Sequence, residues 1–113
     1  MSMNRALLGV VASALLSVTA HGATTDTIAT VVSIYTYTQL GNGDVALQVS
    51  APAPGCGGYW FKATDPGFKA TFSALLSAYH AGSRVRIGGD DADLWPSSGS
   101  AYCRLTFAAV LPG

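Results

Sequence analysis

The chain has no glutamate and few charges of any kind: 11% of its 113 residues are charged. Six basic residues balance six acidic ones, so the formal net charge is zero. There is no basic excess to hold nucleic acid or an anionic membrane, and no nucleic-acid partner is expected. Histidine and cysteine are scarce, with two of each. Two cysteines and His80 have no recognisable zinc spacing, so no metal and no cofactor is expected. Long apolar runs are missing as well. Residues 6–18 give thirteen apolar or small residues (18 − 6 + 1), short of the roughly 20 that a spanning helix needs.

That run has a different meaning. Arg5 precedes it, and the small-residue triplets Val18-Thr19-Ala20 and Ala20-His21-Gly22 follow it. This is the pattern of a secretory signal peptide over residues 1–22, cut after Ala20 or Gly22. The expectation is a periplasmic or secreted protein with no membrane span in its mature part. Residues 23–113 then form one small domain. They carry five cations (Lys62, Lys69, Arg84, Arg86, Arg104) and six aspartates (Asp26, Asp44, Asp65, Asp90, Asp91, Asp93), a net charge near −1 (5 − 6). In an oxidising compartment the isolated pair Cys56 and Cys103 is expected to form a disulfide. It would close a loop of 47 residues (103 − 56). Two free or metal-bound thiols are the alternative.

Residues 65–82 hold the one helix signal of this domain. Asp65 suits an N-cap, Pro66 the first helical position and Gly82 the position just past the end. Phe68, Phe72, Leu75, Leu76 and Tyr79 recur at helical spacing as one apolar face. Ala70, Ala74, Ala78 and Ala81 make a separate stripe of small residues. Such a stripe admits close packing, against a neighbouring copy in a homo-oligomeric ring or against the protein's own sheet.

The flanking sequence is strand-like. Residues 23–26 are a polar lead-in, and residues 27–38 are rich in Thr, Val, Ile and Tyr. Their alternation is imperfect: Ile28, Val32 and Ile34 share one face, while Val31, Tyr35 and Tyr37 share the other. A long strand buried on different faces along its length has this pattern. Residues 39–44 are a turn, and Val45, Leu47 and Val49 then alternate with polar or small neighbours to complete a hairpin. Residues 51–58 are a loop with Cys56, and residues 59–63 a short aromatic strand. Beyond the helix, Val85 and Ile87 point inward, and residues 88–100 read as a loop with Asp90, Asp91, Asp93 and Trp95. In residues 101–111, Cys103, Leu105, Phe107 and Ala109 share a face. The fold class is therefore mainly β with one helix, in the order β-β-β-α-β-β. That order matches a five-stranded oligonucleotide/oligosaccharide-binding (OB) barrel with one disulfide. An open α+β sheet is the alternative.

The motif Leu75-Leu76-Ser77-Ala78-Tyr79 with Gly82, the Cys56/Cys103 pair and the element order resemble one family. It is the small exported proteins related to the B subunit of subtilase cytotoxin. The resemblance implies an enterotoxin-type OB barrel that binds glycans and assembles into a ring. No sugar-binding residue of that family aligns with a particular position here, so none is carried over.

The inventory is poor for catalysis, and no catalytic residue is expected. Ser77 and His80 are close on a helix, but no acid nearby in sequence orients the imidazole. The three aspartates at 90, 91 and 93 lack the glycine and glutamate of an EF-hand loop. Arg84, Arg86 and Arg104 read as outward strand-face charges. The aromatic supply is more informative. Trp60 reads as core. Trp95, Tyr35 and Tyr37 are the ligand-binding candidates, because rings with polar tips suit a sugar's C–H face. The expected function is a non-catalytic exported module that binds carbohydrate. The alternative is a small periplasmic structural or inhibitory protein without a glycan site.

Overall fold

A computed structural model describes residues 24–113; the signal peptide expected at residues 1–22 lies outside them. The elements are β1 (Thr24–Thr36), a 3₁₀ turn (Leu40–Asn42), β2 (Asp44–Val49), β3 (Gly58–Lys62), α1 (Phe68–Ala81), β4 (Arg84–Leu94) and β5 (Tyr102–Val110). The strands pair in the order β1-β2-β3-β5-β4, and β4 pairs back onto β1. The five-stranded sheet thus closes into a ring, and an open sheet is excluded. The β3–β5 pair is parallel and the other four pairs are antiparallel.

β1 is long because it serves two partners. Its first part, from Thr24 to Thr30, pairs with β4, and its second part pairs with β2. The polar lead-in therefore belongs to the strand from Thr24 onward. A register shift falls between Val31 and Ser33. One extra residue there reverses which parity points inward. Ala29 and Val31 are buried before it, Ile34 packs on the core after it, and Ile28 and Val32 are exposed.

β5 has the same device. Leu105 pairs with Gly89 and Phe107 with Gly88, which leaves Thr106 as the extra residue. Cys103 and Leu105 point inward, but Phe107 turns out and Ala108 packs on the core in its place. The expectation for Phe107 fails at this bulge.

Residues 88–94 are strand, not loop. Gly-Gly-Asp-Asp is a poor strand sequence by propensity, but neighbouring rings use the space its glycines leave. A Cβ on Gly88 would stand 2.3 Å from the Phe107 ring, and one on Gly89 would stand 2.7 Å from the Tyr59 ring. The backbone can pair there because the side-chain volume comes from other strands.

The core fills the ring with Val45, Leu47, Val49, Tyr59, Phe61, Val85, Ile87, Cys103 and Leu105, joined by Leu75 and Ala78 of α1. The helix starts later than Asp65 and Pro66 suggest. Gly67 is its N-cap and makes no side-chain cap bond. Asp65 instead holds the preceding turn, where its Oδ2 accepts the Lys62 N–H at 2.9 Å. At the other end Gly82 has φ 68°. The Gly82 N–H donates to Tyr79 O and the Ser83 N–H to Ala78 O, a Schellman ending. The buried face is Leu75 and Ala78, with Phe68 and Phe72 partly covered; Tyr79 is exposed. The alanine stripe is not one free surface, because Ala78 packs into the protein's own core.

Cys56 and Cys103 form the disulfide, with their Cα atoms 5.4 Å apart. It ties the β2–β3 loop to β5. A loop of 47 residues corresponds to about 4 kcal/mol in the chain-entropy model. Among the described residues, no helix is long and apolar enough to cross a membrane.

Candidate functional site

A second apolar cluster lies on the outward side of the ring. The β2 and β3 residues that alternate with core positions are Ala46 and Trp60. They are buried there with Trp95, and Tyr102 of β5 packs against the three. The Trp60 indole is buried as expected, but outside the ring. Arg104 lies 4.6 Å from its ring centroid and Lys62 lies 5.7 Å away, both within cation–π reach. Its Nε1–H donates to Asp93 O at 3.0 Å.

Beside this cluster is a groove of about 550 Å³, inside the usual range for a small-ligand site. Tyr35, Tyr37 and Leu40 line it from the end of β1 and the β1–β2 connection. Ala46 and Gln48 line it from β2. Trp95, Ser97, Ser98, Gly99 and Ser100 line it from the β4–β5 connection, and Tyr102 from β5. The three candidates from sequence, Tyr35, Tyr37 and Trp95, therefore lie on one groove. They do not contribute alike. Tyr35 is 48% exposed and Tyr37 37%, but Trp95 is only 6% exposed. Trp95 is floor rather than open platform. Its ring lies 5.7 Å from Tyr37 and 5.7 Å from Tyr102, tilted by 51° and 46°.

The orientation of Trp95 is set from below. Its Nε1–H donates to Asp44 Oδ2 at 2.8 Å. Asp44 is 2% exposed, and its Oδ1 has no hydrogen-bond partner among the described residues. The 3₁₀ turn lies directly against this carboxyl group. A Cβ on Gly41 would be 2.2 Å from Asp44 Oδ2, and Gly41, Asn42 and Gly43 all have positive φ. The glycines that mark a turn in the sequence thus also let the chain lie against a buried acid.

The wall opposite is held by the backbone of residues 95–102. Trp95 N–H donates to Tyr102 O at 2.9 Å, and Ser98 N–H to Trp95 O at 3.3 Å. Ser98 Oγ accepts the Ser100 N–H at 2.9 Å. Across the groove, Ser33 Oγ donates to Gln48 Oε1 at 2.8 Å. Gln48 Nε2 donates in turn to the Tyr102 hydroxyl at 3.0 Å. The Tyr102 oxygen accepts in that chain, which leaves its own proton for another acceptor. Gln48, Tyr102 and Asp44 were not singled out from sequence. Gln48 occupies an outward position of an alternating strand, which was the available signal. Nothing local distinguishes Asp44 from any turn aspartate.

Among the described residues, no cation lines the groove. Arg104 is bonded to Asp65 Oδ1 and lies 3.5 Å from Asp93 Oδ2. Arg86 pairs with Asp26 at 2.8 Å. Arg104 lies across from Asp90 and Arg86 across from Ala109, so the arginines do not merge into one basic patch. His80 is exposed and meets the Tyr79 ring at 5.5 Å. Among the described residues, no group of three or more His, Cys, Asp or Glu is placed to hold a metal. A smaller cavity of about 250 Å³ lies at the start of α1, between Phe61, Phe68 and Phe107. Its charged groups, Asp65 and Arg104, are bonded to each other, which makes it the weaker candidate. No protein-family model, curated protein or solved structure matches the chain.

Proposed function

We propose that the closed ring is an OB-type barrel and that the groove is a carbohydrate-binding site of a non-catalytic exported module. One observation carries this: the groove lies between the β1–β2 and β4–β5 connections, over the outward side of β2. OB barrels take oligosaccharides and oligonucleotides in that region. The parallel β3–β5 pair and a helix between β3 and β4 support the same topology, as does the family resemblance read from the sequence. Between the two ligand classes, the lining favours sugar. A nucleic-acid groove tracks phosphates with cations, and this one has none among the described residues. Tyr35 and Tyr37 give C–H faces a stacking surface, while Gln48, Tyr102 and the serines offer hydroxyl-matched hydrogen bonds.

The test is a glycan array probed with the oxidised mature domain, alongside Tyr35→Ala and Tyr37→Ala. Tyr35 is about half exposed, so Tyr35→Ala should keep its melting temperature, whereas Tyr37→Ala also gives up its ring contact with Trp95 and should lose about 0.5–1.5 kcal/mol. Loss of bound glycans in both variants, with unchanged stability in Tyr35→Ala, is the expected result. An array without hits would instead favour a structural or inhibitory role.

A further inference from the structure

We infer that this groove selects neutral glycans over glycans bearing a carboxylate, an inference that rests on the carbohydrate-binding reading above. The side chains that face a ligand are uncharged: Tyr35, Tyr37, Gln48, the loop serines and Tyr102. Beneath the Trp95 floor lies Asp44, whose Oδ1 has no hydrogen-bond partner among the described residues and whose Oδ2 accepts the indole N–H. Three of the cations that could pair with a carboxylate are held elsewhere. Arg104 faces Asp65 and Asp93, Arg86 faces Asp26, and Lys62 lies over Trp60. Arg84 and Lys69 line no part of the groove.

A sugar carboxylate entering here would lose water without gaining an ion pair, which is unfavourable. A neutral hexose loses only hydroxyl hydration, and the Gln48–Tyr102 pair and the serines can replace it. The same lining gives no reason for binding to weaken with salt, because no ion pair forms.

The experiment measures binding to matched pairs: sialylated glycans with their sialidase-treated forms, and uronate-containing oligosaccharides with their carboxyl-reduced forms. The reduced pairs isolate charge from size. The neutral member is expected to bind at least about tenfold more tightly, and its affinity should hold between about 0.05 M and 0.5 M salt. Equal or tighter binding of the acidic members, abolished by Tyr37→Ala, would overturn the inference while leaving the groove a glycan site. Binding of neither member would remove the carbohydrate reading itself. Acidic binding that survives Tyr37→Ala would place the site elsewhere, with the same consequence.

Discussion

Trp95 and Asp44 are the two residues on which the groove's shape depends, and they depend on each other. The indole N–H and one carboxyl oxygen meet at 2.8 Å in a buried position. Trp95→Phe would keep a ring against Tyr37 and Tyr102 but leave both Asp44 oxygens without a partner, at a cost of about 1–3 kcal/mol. Adding Asp44→Leu should recover part of that loss, because a buried acid then no longer lacks its donor. Urea unfolding of the single and double variants measures the coupling; additive losses would show that the pair is not linked. Trp95→Ala is a poor probe of binding, since truncating a buried Trp costs about 3–5 kcal/mol by itself. At this scale the sequence was partly legible. A tryptophan before Pro96 in a polar loop signals a possible binding ring. Its burial depends on Asp44, 51 residues away, and a contact of that range leaves no local trace.

At the scale of elements, the helix core, the hairpin and the aromatic strand follow from periodicity, and the structure agrees with them. Asp65 is taken by a near neighbour, since it ties the turn at Lys62. Phe107 and residues 88–94 yield instead to partners distant in sequence, at a bulge against β4 and under the rings that cover the glycines. The last case makes a graded prediction. Tyr59, above Gly89, is fully buried, and its hydroxyl accepts the Ala53 N–H at 3.0 Å. Phe107, above Gly88, is exposed and can swing away. Gly89→Ala should therefore cost about 1–3 kcal/mol as overpacking, and Gly88→Ala should cost less. Thermal melts of the two variants decide the order, and the reverse order would contradict the packing described here.

For the whole molecule, closure of the ring and the disulfide act on the same problem, the stability of a domain with a small core. The pairing of Cys56 with Cys103 was legible because the chain offers no other pair. Element order alone does not say which strands neighbour each other, since that is set by long-range packing. Replacing both cysteines with alanine should lower stability by about 4 kcal/mol, and denaturant melts against the oxidised protein would measure it. An unchanged midpoint would mean that the bridge adds nothing to a fold already closed by its strands.

The groove is the centre of the account, and amide chemical shifts recorded while a bound glycan is titrated test it most directly. Perturbations are predicted to cluster at residues 35–41, at Gln48 and at residues 95–102. Perturbations that gather instead around the start of α1, or spread along the exposed face of β1 at Ile28 and Val32, would contradict it.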